Sequence, residues 1–220
     1  MLELIPFLGL AFMLGIKHSY DADHIIAVST FLRRSKSFLT SIRISTFWAI
    51  GHMLTATAIT FLLFYFRDSF FKQWLNYFEI AVGIMLVVLG IWSIKDYFVV
   101  HKHIHEHDGS IHVHYHIHHV NTSRNHDHRH MFGIGIVHGL ASNDELLILV
   151  TAALGVTTFG LMFLGIGIFS LGVIAGMLLF SLIFSYPLIK ANSEGVFRYF
   201  SLGTGMVSAV YGIMLLMPFL

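Results

Sequence analysis

The chain has 220 residues, of which 56% are hydrophobic and 11% charged, with a mean hydropathy of +0.76 and a formal net charge of +1. That balance argues against a soluble globular domain. With no lysine/arginine patch to neutralise a run of phosphates, it also argues against a nucleic-acid partner. Cysteine is absent, which removes disulfides, thiolate metal sites and thiol redox chemistry and leaves imidazole and carboxylate as metal ligands.

At about 20 residues per span, six apolar segments can be drawn: 2–31, 40–64, 77–98, 132–155, 158–186 and 196–218. The expectation is an all-α integral membrane protein, a single polytopic domain of six transmembrane helices. Residues 1–16 lack a basic stretch followed by a small-residue cleavage site and read as part of the first span.

The first segment is interrupted by His18-Ser19-Tyr20-Asp21-Ala22-Asp23-His24. On a straight helix His18, Asp21 and His24 fall within an arc of about 120° while Asp23 points away. Gathering all four groups requires a bent or unwound helix whose polar backbone faces a protein cavity. Two imidazoles and a carboxylate suit nickel, cobalt or zinc, and a mainly nitrogen set favours nickel. A carboxylate not bound to metal would hold the far ring nitrogen of a histidine. The plainer alternative is a set of helix-end polar residues satisfied by neighbouring carbonyls. Lys17 is expected to snorkel or to pair with Asp21.

In the second segment Gly51-His52 offers either a third imidazole or a structural donor enabled by close helix approach. Trp48, Trp74 and Trp92 read as packing or interface anchors, and the scattered methionines as core packing.

Between the third and fourth segments, residues 99–131 form a histidine-rich loop. Of the sixteen histidines, twelve lie in residues 101–130, and His18, His24, His52 and His138 stand alone in apolar surroundings. A charged side chain at such depth costs about 2.5–3.5 kcal/mol, so the solitary histidines need compensation, for which a metal ion is the leading candidate. In the loop, His101, His103, His105 and His107 alternate with other residues, as do His112, His114, His116 and His118, around Asp108-Gly109. Asp-Gly is a hairpin turn signal. A turn there pairs His105 with His112, His103 with His114 and His101 with His116. The alternative is an unstructured tract that binds metal loosely. In either form the loop is an accessory, outside the membrane.

The fourth segment carries His138-Gly139-Leu140-Ala141-Ser142-Asn143-Asp144-Glu145. His138 and Glu145, seven apart, share a helix face. With Asp144 they are candidates to complete a metal site, to relay protons, or merely to pin two helices together.

The halves overlay. Gly15-Ile16-Lys17-His18 matches Gly135-Ile136-Val137-His138, and Asp23-His24 falls on Asn143-Asp144. Farther on, Tyr77-Phe78, Gly83 and Gly90-Ile91 match Tyr199-Phe200, Gly205 and Gly212-Ile213. Three helices per unit is an odd number, so residues 1–98 and 132–220 form an inverted 3+3 repeat, an architecture in which broken helices from both halves build a midplane substrate site. Alternate loops divide lysine and arginine unevenly: Arg33, Arg34, Lys36, Arg43, Lys95, Lys102, Arg124, Arg129, Lys190 and Arg198 against Arg67 and Lys72. The positive-inside rule then puts both termini outside the cell membrane and the histidine-rich loop in the cytosol.

The motif His18-x4-Asp23-His24, the run Gly15-Ile16-Lys17-His18 through Ala27-Val28-Ser29-Thr30, Phe47-Trp48-Ala49-Ile50-Gly51-His52 and Gly135-Ile136-Val137-His138-Gly139-Leu140-Ala141 resemble the nickel/cobalt transporter family, in its urease-accessory, nickel-permease-like branch. The similarity covers most of the chain. It implies that His18, Asp23 and His24 select the metal, that His52 belongs to a second Gly-His motif, and that nickel-enzyme maturation proteins are potential partners. Ser142-Asn143-Asp144-Glu145 departs from the Asp-Thr-Ala-Thr-Glu-like motif of larger members.

The expected function is secondary transport of a divalent ion, Ni2+ or Co2+, by alternating access, with uptake favoured over efflux. The ion is cargo, no prosthetic cofactor is expected, and no ATP-binding signature is present. A membrane di-iron enzyme is the rival of a different class. His116-x-His118-His119 gives it a foothold, but His18, His24 and His138 lie on different apolar segments rather than at cytosolic helix ends.

Overall fold

The computed structural model describes residues 4–33, 35, 37–65, 72–99, 101–107, 110–116, 126–141, 159–191 and 194–220. Helix α1 (Leu4–Ser19) is followed after two residues by α2 (Ala22–Leu32), then by α3 (Phe38–Tyr65) and α4 (Lys72–Val99). Strands β1 (His101–His107) and β2 (Ser110–His116) precede α5 (His126–His138), α6 (Phe159–Ala191), α7 (Glu194–Leu216) and a 3-10 turn, Met217–Phe219. Among the described residues, Phe38–Leu62, Tyr77–Phe98, Gly160–Ala191 and Gly195–Phe219 are long and apolar enough to cross a membrane. The shortest of these, 22 residues, extends about 33 Å against a hydrocarbon core of about 30 Å. The chain is a helical membrane protein.

The first apolar segment is broken where its polar residues sit. The Tyr20 amide donates to the Lys17 carbonyl at 3.0 Å and the Asp21 amide to the His18 carbonyl at 3.1 Å, closing α1 with a tight turn. Asp21 is extended (φ −61, ψ 145) and occupies the N-cap of α2, yet its side chain makes no capping bond. An N-cap aspartate ordinarily accepts from the first free amides of its helix. Here its carboxylate lies 3.1 Å from His18 Nδ1 and 3.5 Å from Lys17 Nζ. The same local choice that breaks the helix therefore orients a histidine.

The histidine-rich segment forms an antiparallel two-stranded ladder with His101 opposite His116, His103 opposite His114 and His105 opposite His112; Asp108 and Gly109 lie outside the described residues. His118 lies outside the described residues. Helix α5 begins at His126, within the stretch assigned to the loop, so the last residues of the histidine-rich tract are helical. Helix α6 likewise runs past the expected end at 186 to Ala191, with Pro187 inside it.

Helix α1 packs on α6, α3 on α5 and α6, and α4 on α7. Glycines set the close approaches, and they do so reciprocally. A Cβ at Gly15 would meet the Phe169 backbone and one at Gly135 the Trp48 backbone; a Cβ at Gly172 would meet the Phe12 backbone and one at Gly51 the Phe132 backbone. Gly90 abuts Gly205 and Ala209, and Gly212 abuts Gly83 and Val87. Each contact in one half thus has a counterpart with the roles of the halves exchanged. A single helix offers a control: a Cβ at Gly133 of α5 meets open space, whereas one at Gly135 meets backbone. Gly133→Ala should be neutral or stabilising by up to about 1 kcal/mol. Gly135→Ala should destabilise by about 1–3 kcal/mol through overpacking. Thermal unfolding in detergent reads both, and equal effects would contradict the packing.

Two buried apolar clusters flank the middle of the molecule. One contains Ala11, Met53, Ala56, Met162, Ile166, Phe169 and Val173. The other contains Val28, Leu32, Ile44, Trp48, Ala49, Met131 and Met177. The four solitary histidines lie between them.

Candidate metal centre

His18 stands at the end of α1, His24 in the first turn of α2, His52 midway along α3 and His138 at the last position of α5. All four are buried, His24, His52 and His138 completely. His18 Nε2 lies 3.2 Å from His52 Nε2 and 3.2 Å from His24 Nε2. Three imidazole nitrogens from three helices therefore point at one another, all within 4.8 Å.

The far side of two rings is held by carboxylates. His24 Nδ1 is 2.9 Å from Asp23 Oδ1, and His18 Nδ1 is 3.1 Å from Asp21 Oδ2. A ring that donates its Nδ1 proton to a carboxylate carries its lone pair on Nε2. His18 and His24 thus present lone pairs to each other at 3.2 Å, an arrangement that a cation between them would stabilise. With a metal–nitrogen distance of about 2.1 Å, ligand nitrogens are about 3.0 Å apart at a right angle and about 3.4 Å apart at a tetrahedral angle, and the observed spacing falls between. Asp21 and Asp23, expected among the metal residues, meet the Nδ1 atoms of His18 and His24.

Asp23 also reaches across the molecule. Its Oδ2 accepts from His138 Nε2 at 2.8 Å, so one carboxylate joins the α2 histidine to the α5 histidine. Asp23, His24 and His138 form a second set with ligand atoms within 4.8 Å, and His24 belongs to both sets. Among the described residues, the Nδ1 atoms of His52 and His138 are buried without a hydrogen-bond partner.

Helix α5 ends at His138, where Gly139 and Leu140 turn the chain through bonds to the Gly135 and Val137 carbonyls. Helix α5 thus stops at His138 rather than continuing through residues 139–141. Asp144 and Glu145 themselves lie outside the described residues. Lys17 pairs with Asp21 as expected. The sequence reading missed the aromatic walls. Trp48 stacks on His52, with centroids 5.0 Å apart and planes 10° apart, and meets His138 edge-on at 5.4 Å. Phe169 lies 5.6 Å from His18, the counterpart contact in the other half. The signal was present: Trp48 and His52, four apart, share a face of α3.

A helical membrane protein with four buried histidines gathered from four helices is the class that fold and site define. The urease accessory protein UreH of Bacillus sp. (strain TB-90) is 32% identical over 212 residues, covering 96% of this chain and 90% of its own length. The chain belongs to the family of that protein. No family model and no solved structure matches it.

Proposed function

We propose that the chain is a secondary permease for a divalent transition metal, nickel first and cobalt second, with uptake the favoured direction. The observation that carries this reading is the convergence of three Nε2 atoms at 3.2 Å contacts, two of them on rings oriented by carboxylates. His18, His24 and His52 bind the ion; Asp21 and Asp23 fix the tautomers; His138, tied to Asp23, carries the occupancy of the site to the second half. Nickel is the more suited cargo because the inward-facing donors are all nitrogen. The word "urease" in the relative's name agrees with delivery of nickel toward enzyme maturation proteins, and the chain acts as a carrier rather than an enzyme.

In this reading residues 1–98 and 132–220 are inverted three-helix repeats in the cell membrane with both termini outside. The reciprocal glycine contacts support the pairing of halves, and the bias of lysine and arginine supports the orientation. Alternating access is a rocking of one half on the other about the shared centre. The paired histidines of the β1–β2 hairpin serve as a cytosolic metal buffer that gains order when loaded, and Asp144 and Glu145 are assigned to the second half's share of the path.

Radioactive nickel flux into proteoliposomes of known orientation tests the reading. Wild type should accumulate nickel and His18→Ala should fall to the protein-free background. An inactive wild type, or a mutant at wild-type rate, would refute it. Deleting residues 101–116 should lower the rate severalfold without abolishing it.

A further inference from the structure

The two ends of the α3–α6 contact are built differently. These helices run antiparallel, and at one end the Ser41 hydroxyl lies 2.8 Å from both Ser185 Oγ and Ser35 Oγ. One turn closer to the histidines stand Ser45 on α3 and Ser181 on α6, then Trp48 and Met177, which share a buried cluster. Ser41, Ser45, Trp48 and His52 recur at intervals of four, three and four, one face of a helix, and every one is fully buried. The stripe covers about 16 Å from His52 to Ser41.

At the other end, the positions matched by the reciprocal glycine contacts are apolar. Met162 stands where Ser41 does and Ile166 where Ser45 does, both packed with Met53, Ala56 and Phe169. Ser181 alone of the facing serines has a polar counterpart, Thr60.

A stripe of small polar residues can be mere close packing. Ser45 is more than that: its Oγ is fully buried and has no hydrogen-bond partner among the described residues, and the same holds for the Trp48 indole nitrogen one turn on. A buried unpaired polar group costs about 1–3 kcal/mol, and a valine or alanine would avoid it. Two such groups in succession on the face that leads from His52 point to a ligand that supplies their partners in another state of the protein. The ligand class is a hydrated divalent cation: its coordinated water donates to the Ser45 hydroxyl oxygen, and water of the next layer accepts from the Trp48 indole N–H.

We infer that the serine-lined end is the gated path between the histidine centre and the side of the membrane on which the exposed Arg43 lies, that Trp48 and Met177 form its closed plug, and that the Met162–Ile166 end is the drier seal. The inference rests on the transport reading and adds to it which end is wetted and which residues close it. By the charge bias that end is cytosolic.

The cysteine-free chain makes the test direct. Single variants Ser41→Cys, Ser45→Cys and Ile166→Cys, in the full-length reconstituted protein, are reacted with a small charged methanethiosulfonate reagent in the presence of nickel. Ser41→Cys and Ser45→Cys should react at least tenfold faster than Ile166→Cys, and from the side where Arg43→Cys is labelled. Equal rates, or faster reaction at Ile166→Cys, would overturn the assignment. In parallel, Ser45→Val should slow nickel flux about tenfold while nickel affinity measured by equilibrium dialysis stays within twofold, and Ser45→Thr should restore flux. Full flux in Ser45→Val would remove the hydroxyl from the path. Labelling does not depend on net transport, so a wild type that moves no nickel defeats the permease reading, whereas the pattern of rates decides the path.

Discussion

His24→Ala is expected to lower nickel affinity by at least 100-fold, the largest loss at the centre. Its Nε2 contacts His18 in the first ligand set, and its Nδ1 meets Asp23 in the second. Removing the ring deletes a ligand from both sets. It also leaves Asp23 with His138 as its remaining imidazole partner at the centre. A hundredfold corresponds to about 2.7 kcal/mol, beyond the 10–100-fold usual for outer-sphere partners of a ligand. Equilibrium dialysis with radioactive nickel measures it, and thermal unfolding in detergent separates lost ligation from lost structure. His138→Ala, which acts through Asp23, should cost less. If His138→Ala proved the more severe, the metal would sit in the second set rather than among the three Nε2 atoms.

The second large effect lies away from the histidines. Arg33, immediately after α2, has a fully covered side chain. Its guanidinium is 2.6 Å from Asp96 Oδ2 on α4 and donates to Ser201 Oγ on α7 at 2.8 Å. Removing one partner from a buried ion pair leaves an uncompensated charge and costs about 3–5 kcal/mol. Asp96→Ala should therefore depress the unfolding temperature sharply or prevent recovery of folded protein. The double change Arg33→Met, Asp96→Leu should recover most of that loss, since well-packed apolar pairs replace buried ion pairs at little net cost. Comparable destabilisation in single and double variants would show that Arg33 matters through its other contacts.

Local chemistry in the sequence foretold the elements that local chemistry controls. The interruption at His18–His24 broke where an extended Asp21 competes with the helix, and of the two forms open for the histidine-rich loop the described strands take the register that pairs His103 with His114. The overlay of Gly15 on Gly135 anticipated contacts that exchange partners between halves. The face of α3 was legible only as a spacing, Trp48 and His52 standing four apart. A span surrounded by apolar groups shows little one-sidedness, so Trp48 read as an anchor although it stacks on His52. That a carboxylate would hold a far ring nitrogen was legible from the spacing, and Asp21 and Asp23 do meet the Nδ1 atoms of His18 and His24; the reach of Asp23 to His138 Nε2, 115 residues away, depends on the packed helices. The end of α5 at His138 followed from the Gly139 turn, where a spacing of seven suggests one continuous helix face from His138.

Helix α2 joins two charged constellations with eleven residues. Asp23 and His24 open it and Arg33 follows its last turn, about 14 Å away along the axis. A short regular helix bends little over that length, so any tilt at the Asp23–His24 end would displace the guanidinium at the other. Thermodynamic reciprocity then applies. If loading the centre loosens the grip of Arg33 on Asp96 by some factor, weakening that grip by mutation tightens the centre toward metal by a related amount. Metal affinity would then be adjustable from a position outside the centre.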